Sequence, residues 1–237
     1  MKSSDWILFD IDYTLTEPID PALNMNILKL DMPRFLEELE TFTEKQKELV
    51  PILMNTQVPS KLTEPCASDL IKKLQESAAT ILGFTAADTA SLPDVGAITS
   101  WRRNELLRLG IDFKPPHSAS PIPTTIAEFT QFPSFRGTFP VYIDGILYTN
   151  VFPTKAEVLS AFLDAIKDRP DQIIFIDDTL NNLRIVEAEF CKRGVAFLGI
   201  HFKPLIDNQL HRAVSEDAWR KTWMEIHRRA EQISLSE

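Results

Sequence analysis

Apolar residues along the chain fall into short continuous runs separated by longer stretches with helical spacing. The runs predict buried strands at residues 6–11, 51–54, 172–176 and 195–200. After the first run, apolar positions at a helical period predict a helix over 33–50 that begins at Pro33. Because short apolar strands alternate with helices, we expect an α/β fold, a Rossmann-like parallel sheet with helices on both faces.

The stretch 57–140 interrupts this alternation. It predicts one helix over about 63–82, ended by Gly83, and a second over about 100–109, ended by Gly110. A proline-rich segment over 114–123 follows, and then a hairpin over 139–148 with an Asp-Gly turn. We therefore expect a core formed by residues 1–56 and 141–237, with 57–140 inserted as a cap domain.

A final amphipathic pattern predicts a C-terminal helix over about 216–234, preceded by Ser215. Its large apolar residues are expected to face the core: Trp219, Trp223, Ile226 and Ile233.

Composition narrows the class of protein without naming a function. The 237 residues are 44% hydrophobic and 25% charged, as in an ordinary globular protein. The net charge of −9 disfavours nucleic acid and acidic membranes as partners. The apolar runs fall short of the roughly 20 residues that a membrane span needs, and the first strand leaves no room for a signal peptide. We expect a cytoplasmic enzyme, with export by a non-cleaved route left open, and free thiols at Cys66 and Cys191.

Polar residues follow three of the predicted strands directly. Asp10 and Asp12 follow the first, Thr56 the second, and the pair Asp177-Asp178 the third. Carboxylates this close repel one another, and burial adds a desolvation cost. Open parallel sheets bind ligands at the carboxyl ends of their strands. A divalent metal ion or a phosphoryl group at that edge would explain why the carboxylates are there.

Lys155 adds a positive charge to this set. The run Thr154-Lys155-Ala156-Glu157 fits a capping box, which places Lys155 in the first turn of a helix. A cation is slightly disfavoured there by the helix dipole. We therefore expect Lys155 to face carboxylates or a phosphate.

With these residues in order, the chain resembles the haloacid dehalogenase-like superfamily of phosphatases. Asp10, Asp12 and Thr14 match the first motif, an apolar strand followed by Asp-x-Asp-x-Thr. The other three motifs are matched, in the family's order, by Thr56, by Lys155 and by the pair Asp177-Asp178. The insertion after the second motif is similar to that of an uncharacterised subgroup with a type-two cap.

The resemblance implies a role for each site residue. Asp10 would attack phosphorus and form an aspartyl-phosphate, and Asp12 would protonate the leaving oxygen and then activate water. Thr56 would hydrogen-bond a phosphoryl oxygen, and Lys155 would neutralise charge on the nucleophile and the phosphate.

Mg²⁺ is the cofactor that the resemblance implies. The Asp10 carboxylate, the Asp12 backbone carbonyl and an acid of the fourth motif would hold it. The spacing of the fourth motif favours Asp178 as the direct ligand of the metal ion, because Asp177 stands where the family commonly has glycine. The implied function is Mg²⁺-dependent hydrolysis of a small phosphate monoester, and the presence of Asp12 argues against carbon–halogen chemistry.

Two departures from the family pattern leave alternatives open. Tyr13 replaces a common glycine, which would narrow the site, and Asn182 stands where a second acid is frequent. A phosphotransferase, or a catalytically weak interaction or regulatory protein, is therefore kept beside the phosphatase.

Substrate identity would reside in the insertion, which carries no recognisable motif, and the sequence carries no signal for the oligomeric state. Arg102, Arg103 and Arg136 are candidates for contacting a distal anionic group, although a solvated helix face is the favoured interpretation of the first two. The four histidines are expected to be structural or surface residues, and His201 stands out among them only because it ends a predicted core strand.

Overall fold

The structure is a computed structural model that describes residues 4–114, 125–126, 128–203 and 214–236. Its strands are β1 (Asp5–Phe9), β2 (Thr16–Pro18), β3 (Ser60–Leu62), β4 (Thr80–Thr85), β5 (Ser91–Leu92), β6 (Gly96–Ala97), β7 (Thr125–Ile126), β8 (Val141–Ile143), β9 (Ile146–Tyr148), β10 (Gln172–Asp177) and β11 (Ala196–His201). Its α-helices are α1 (Met25–Leu28), α2 (Met32–Glu40), α3 (Glu44–Lys47), α4 (Val50–Thr56), α5 (Ala67–Gln75), α6 (Ile98–Arg108), α7 (Lys155–Ile166), α8 (Leu180–Lys192) and α9 (Glu216–Ser236). Short 3₁₀ turns lie at Pro21–Leu23 and Lys29–Asp31.

A seven-stranded sheet of order β11-β10-β1-β4-β9-β8-β7 forms the centre of the fold. The first five strands in this order, β11, β10, β1, β4 and β9, run parallel to one another. The strand β8 pairs antiparallel with β9, and β7 pairs antiparallel with β8. One face packs against α7 and α8 through residues such as Leu8, Phe175 and Phe162. The other face packs against α5 and α6 through residues such as Ile7, Ile71 and Leu106. The expected α/β architecture, with helices on both faces of a mostly parallel sheet, is confirmed.

Several predicted elements are confirmed. The 172–176 and 195–200 runs form β10 and β11, and α6 ends before Gly110, whose φ is +81°. The Asp-Gly turn joins β8 to β9 with positive φ at Asp144 and Gly145. Glycine is required at the second position, because a Cβ there would lie 1.9 Å from the carbonyl oxygen of Phe113.

Two further predictions from the sequence agree with the structure. The apolar residues of α9 are buried as expected, and both cysteines are free.

The proline-rich segment lies almost entirely outside the described residues. Across the described ranges, every helix is too short or too polar to cross a bilayer.

The predicted strand at 51–54 is wrong, because these residues form α4. The predicted helix over 33–50 is also divided: α2 ends at Glu40, and a capping box between Thr43 and Gln46 begins α3. A short apolar run does not distinguish a strand from a buried helical turn by its periodicity. Here the run faces the helix α9, and Leu53 and Trp223 belong to one apolar cluster.

The prediction of a helix through residue 82 is wrong in its second half. The helix α5 ends at Gln75, and residues 80–85 form β4, which pairs with β1 on one side and β9 on the other. Gly83 therefore lies inside a central strand and is not a helix cap. A Cβ at Gly83 would lie 3.1 Å from the ring of Phe113 and 3.3 Å from Ile11, so the strand passes close to its neighbours.

The predicted insertion at 57–140 is corrected as well, because that stretch supplies β4 to the central sheet. The segment that leaves the sheet lies earlier, between β1 and β4, and carries α1 to α4. Together with α9 it forms a separate apolar cluster that contains Leu23, Leu53, Trp223 and Ile226, and Ile98 of α6 packs in the same cluster. We call α1 to α4 together with α9 the covering layer.

Candidate active site

The candidate site lies where three parallel strands end at the same edge of the sheet. Asp10 directly follows β1, Thr85 ends β4, and Asp177 ends β10. The register of the sheet pairs Phe9 with both Ile176 and Gly83. The three strand ends that follow these residues are therefore neighbours in space. This is the edge at which open parallel sheets bind ligands.

Lys155 joins two of the strand ends through its side chain. It is the first residue of α7, and the predicted capping box between Thr154 and Glu157 is present. Its Nζ lies 2.6 Å from Oδ1 of Asp10 and 2.8 Å from Oδ2 of Asp177. Burial acts to lower the pKa of Lys155, but the charges of the two carboxylates outweigh it and the pKa is raised. The lysine therefore faces carboxylates, as the sequence predicted, and stays a cation.

Asp10 is buried at the floor of the site. Its second oxygen, Oδ2, accepts a hydrogen bond from Oγ1 of Thr14 at 3.2 Å. Burial raises the pKa of Asp10 to about 7, with the charge of Lys155 opposing that rise and the charge of Asp177 adding to it. A carboxylate with this pKa changes charge near neutrality unless a further cation stabilises its ionised form.

Asp10, Asp177 and Asp178 form a cluster that could hold a metal ion. Each offers one carboxylate oxygen, and these oxygens lie within 4.8 Å of one another. Burial, and then the neighbouring charge of Asp177, raise the pKa of Asp178. A donor set made only of carboxylate oxygens suits a hard divalent cation such as Mg²⁺.

The two acids of the fourth motif have different surroundings. Asp177 accepts hydrogen bonds from the backbone N–H of Thr179 at 2.7 Å and from the amide of Asn182 at 3.0 Å, in addition to Lys155. Asp178 lines the cleft, with Nζ of Lys29 at 4.0 Å. Asn182 thus fixes Asp177, and Asp178 has the freer oxygens.

Asp12 lies outside this acidic cluster and has its own partners. Nη2 of Arg102 is 2.5 Å from its Oδ1, and Oγ1 of Thr85 donates to its Oδ2 at 3.0 Å. Arg102 is only 1% exposed, so the solvated helix face predicted for this residue is wrong. No sequence signal separates it from Arg103, which is 30% exposed and pairs with Asp144.

Thr56 does not occupy the position predicted for it. It lies in α4, and its Oγ1 donates to the backbone carbonyl of Ile52 at 2.9 Å, one helical turn back. Its neighbour Asn55 lines the cleft instead. The threonine at a strand end is Thr85. The apolar run Ile81-Leu82-Gly83-Phe84 before it carries the signal of a strand, but Gly83 also fits the end of a helix, and that second pattern hides the strand.

Tyr13, the departure from the first motif, has a φ of +64°. That left-handed conformation is the physical reason why glycine suits this position. Tyr13 lines the cleft, and burial together with the charge of Asp12 raises its pKa. His201, which ends β11, places its Nε2 3.0 Å from the backbone oxygen of Asp178.

Asp10, Asp12, Lys155 and Asp178 form the floor of a cleft of about 620 Å³. The covering layer closes one side with residues of α1 and α4: Met25, Pro51, Ile52 and Asn55. This volume is within the range of ordinary small-molecule sites.

Comparison with known proteins places the chain in a family and gives two distant likenesses. One is a Chlamydia pneumoniae protein named "Putative outer membrane protein", which is 25% identical over 204 residues, 84% of this chain and 69% of that protein. The other is the solved structure of a Streptococcus pneumoniae hydrolase of the haloacid dehalogenase-like family. It is 16% identical, with a TM-score of 0.44 over 86% of this chain and 97% of that one. A family model matches residues 2–228, nearly the whole sequence. The chain therefore belongs to the family described as "Protein of unknown function (DUF2608)".

Proposed function

We propose that the protein is a haloacid dehalogenase-like phosphatase that hydrolyses a phosphate monoester through an aspartyl-phosphate, with Mg²⁺ as cofactor. One observation carries the proposal: Asp10 is buried at a strand end against Lys155, inside an acidic cluster, while Asp12 is held separately two residues away. Phosphoryl transfer needs positioning and neutralisation of charge, and this arrangement offers both.

Asp10 is the proposed nucleophile. One of its oxygens attacks phosphorus, a bond from that oxygen to phosphorus forms, and the bond from phosphorus to the leaving oxygen breaks. Lys155 lies 2.6 Å from this carboxylate and limits the repulsion between it and the incoming phosphate. Water then attacks the aspartyl-phosphate, which releases inorganic phosphate and regenerates Asp10.

Asp12 is the proposed acid and base. It gives a proton to the leaving oxygen in the first step and takes one from the attacking water in the second. Thr85 takes the strand-end position first predicted for Thr56 and holds Oδ2 of Asp12 at 3.0 Å.

Mg²⁺ would be held by the carboxylates of Asp10 and Asp178, with the backbone carbonyl of Asp12 as a further ligand. Asp178 is preferred over Asp177 because Lys155, Thr179 and Asn182 already engage the oxygens of Asp177. When bound, the ion would neutralise charge on the phosphoryl oxygens. It would also favour the ionised form of Asp10.

A second candidate function has a specific observation in its favour. Both oxygens of Asp12 are engaged, by Arg102 and by Thr85, and these two contacts restrain the orientation of the side chain relative to a leaving oxygen. This arrangement suits a catalytically weak protein that binds phosphate and serves interaction or regulation. A phosphotransferase stands beside it, because the same residues would pass the phosphoryl group to an alcohol.

The test is release of p-nitrophenol from p-nitrophenyl phosphate by the purified chain, with and without Mg²⁺. We expect hydrolysis that depends on Mg²⁺ and is abolished by Asp10→Asn. Asp69→Asn, an exposed carboxylate change on α5, is the matched control and should leave the rate unchanged. An added alcohol that raises nitrophenol release above phosphate release would indicate a phosphotransferase. Absence of turnover together with absence of Mg²⁺ binding would exclude the enzyme.

A further inference from the structure

The mouth of the cleft is apolar, in contrast to its charged floor. Phe152 and Val151 are large apolar side chains that remain 58% and 47% exposed. The ring of Phe152 meets that of Phe135 edge-on, at 5.3 Å between centroids and 83° between planes. Met25 and Ile52 line the same cleft as these residues and Asp10. We call Phe135, Val151 and Phe152 the apolar rim.

The segment that carries Val151 and Phe152 of the rim has a strained backbone. Val151 has a φ of +74°, and Asn150 before it has a φ of +55°. A β-branched residue in this conformation is a steric outlier, and such strain persists only where the surroundings enforce it.

Hydrogen bonds enforce the conformation here. Asn150 is fully buried; its amide donates to the backbone oxygen of Thr138 at 2.7 Å, and its Oδ1 accepts from the backbone N–H of Thr89 at 3.1 Å. The backbone N–H of Thr149 donates to the carbonyl of Thr85 at 2.9 Å, which ties the segment to the end of β4. The fold therefore presents Val151 and Phe152 to solvent from a fixed support.

Charged groups near the mouth disfavour a second anionic group on the ligand. Glu48 lies at the opening and is exposed. Asp88 also lines the cleft, and Nη1 of Arg136 is 3.3 Å from it. Lys29, the lysine on this side, has its Nζ 4.0 Å from Asp178. These two cations thus have protein carboxylates as neighbours, while the large exposed side chains at the mouth, Val151 and Phe152, are apolar.

We infer that the substrate is a phosphate monoester with an aromatic leaving group, which packs against the apolar rim. This inference rests on the proposed hydrolysis, because an in-line attack by Asp10 places the leaving oxygen on the side of phosphorus away from Asp10, towards the mouth. An aromatic ring there contacts Phe152 and covers apolar surface that is otherwise exposed to water. Phe152 is then a specificity-determining residue.

The first experiment compares 1-naphthyl phosphate with glycerol 3-phosphate as substrates of the wild type and of Phe152→Ala. We expect kcat/KM for the naphthyl ester to fall about tenfold in the variant, the size of one lost aromatic contact. For glycerol 3-phosphate it should change by less than about twofold, since that ester makes no ring contact. Leu36→Ala, which shortens an apolar side chain 52% exposed on α2, is the control and should change neither value. An equal effect of Phe152→Ala on both substrates overturns the inference and leaves the hydrolase proposal standing.

A second experiment measures binding without turnover. Calorimetric titration of Asp10→Asn with the same two esters should show tighter binding of the naphthyl ester by about tenfold. The preference should vanish in the double variant Asp10→Asn with Phe152→Ala. If the wild type hydrolyses neither ester but this preference is present, the hydrolase proposal fails and the aromatic site remains. If the two esters bind Asp10→Asn equally, the inference fails.

Discussion

Asp12 and Arg102 form an ion pair between the first motif and the helix α6, with Nη2 of Arg102 2.5 Å from Oδ1 of Asp12. The guanidinium is buried, and the carboxylate is partly open to the cleft. The pair fixes Asp12 from behind, while Thr85 holds its other oxygen. The position of the proposed acid and base therefore depends on a residue that does not line the cleft.

Replacement of Arg102 by methionine is expected to lower kcat by about 10²-fold with little change in KM. The physical reason is that a misplacement of about 1 Å in a catalytic group costs about this much, while the cleft surface that binds substrate is unchanged. Steady-state kinetics with p-nitrophenyl phosphate measure both constants.

Arg103→Met is the control for this change. Arg103 is the next residue of α6 and pairs with Asp144, away from Asp12, so its loss should leave kcat within about twofold. Thermal melts of both variants establish that they are folded. An unchanged or higher kcat in Arg102→Met would mean that the ion pair restrains Asp12, and would favour the catalytically weak alternative.

Thr85→Val is expected to lower kcat and to destabilise the fold by about 1–3 kcal/mol. The change keeps the shape of the side chain but removes a buried hydroxyl that donates to Asp12 and accepts from the backbone N–H of Ala87 at 3.1 Å. Urea denaturation measures the stability, and initial rates measure the activity.

Thr56→Val makes the same chemical change at the threonine first predicted for the site. Its hydroxyl is bonded to a carbonyl of its own helix, so we expect a loss of at most about 0.5 kcal/mol and no loss of activity. If this variant loses activity and Thr85→Val keeps it, the assignment of Thr85 is refuted.

The raised pKa of Asp10 makes the stability of the metal-free protein depend on pH. Its ordinary value is 3.8 and its value in the fold is about 7, chiefly because of burial. Between these values the folded state binds more protons than the unfolded state, so stability falls as pH rises through this window. The pKa of Asp178 is raised in the same sense. Asp10→Asn should flatten this slope between about pH 4 and 7.

Mg²⁺ should restore part of the stability that the protein loses as the pH rises. A metal ion binds the ionised carboxylates, so protons compete with it below about pH 7. We expect Mg²⁺ to raise the melting temperature more at pH 8 than at pH 5.5, and to have little effect on Asp10→Asn. Asp69→Asn should behave as the wild type. A Mg²⁺ shift of equal size at both pH values would contradict the assignment of Asp10 as a ligand.

Trp223→Ala should destabilise the protein by about 3–5 kcal/mol, because Trp223 is 1% exposed and its ring packs against Phe35, Phe42 and Trp219. Its Nε1 finds no hydrogen-bond partner within the described ranges. Trp223→Phe keeps an aromatic ring and removes that N–H, so it should cost less than about 1.5 kcal/mol. Denaturant unfolding measures the free energy of unfolding of both variants. If the two substitutions lower it equally, the packing of the Trp223 ring is not what holds α9 against the rest of the covering layer.

The sequence predicted the parts of the fold that depend on local chemistry. A pattern only a few residues long predicts each of these features: the capping box at Thr154, the Asp-Gly turn, and the strands β1, β10 and β11. The apolar runs of β1 and β10 also indicate where these strands end, and this predicts that Asp10, Asp177 and Asp178 lie at one edge of the sheet.

The features of the fold that differ from the sequence predictions depend on contacts between distant segments. The run Pro51-Ile52-Leu53-Met54 is apolar enough for a strand, but in the fold it is a helix whose apolar residues share a cluster with those of α9. Gly83 has the same identity in a helix cap and in a crowded strand, and the neighbour that decides is Phe113, 30 residues later. Arg102 reaches Asp12 across 90 positions, and no local pattern encodes that pairing.

The covering layer also has a consequence for the order of events during synthesis. The helices α2 to α4 leave the ribosome early, yet α9, which buries their apolar faces, begins 160 residues after the end of α4 at Thr56, since 216 less 56 is 160. At a translation rate of about 5–20 residues per second, those faces wait about 8–32 s for their partner. The nascent chain thus carries an exposed apolar surface through most of its production, and chaperones that bind such surfaces have their longest opportunity at this segment.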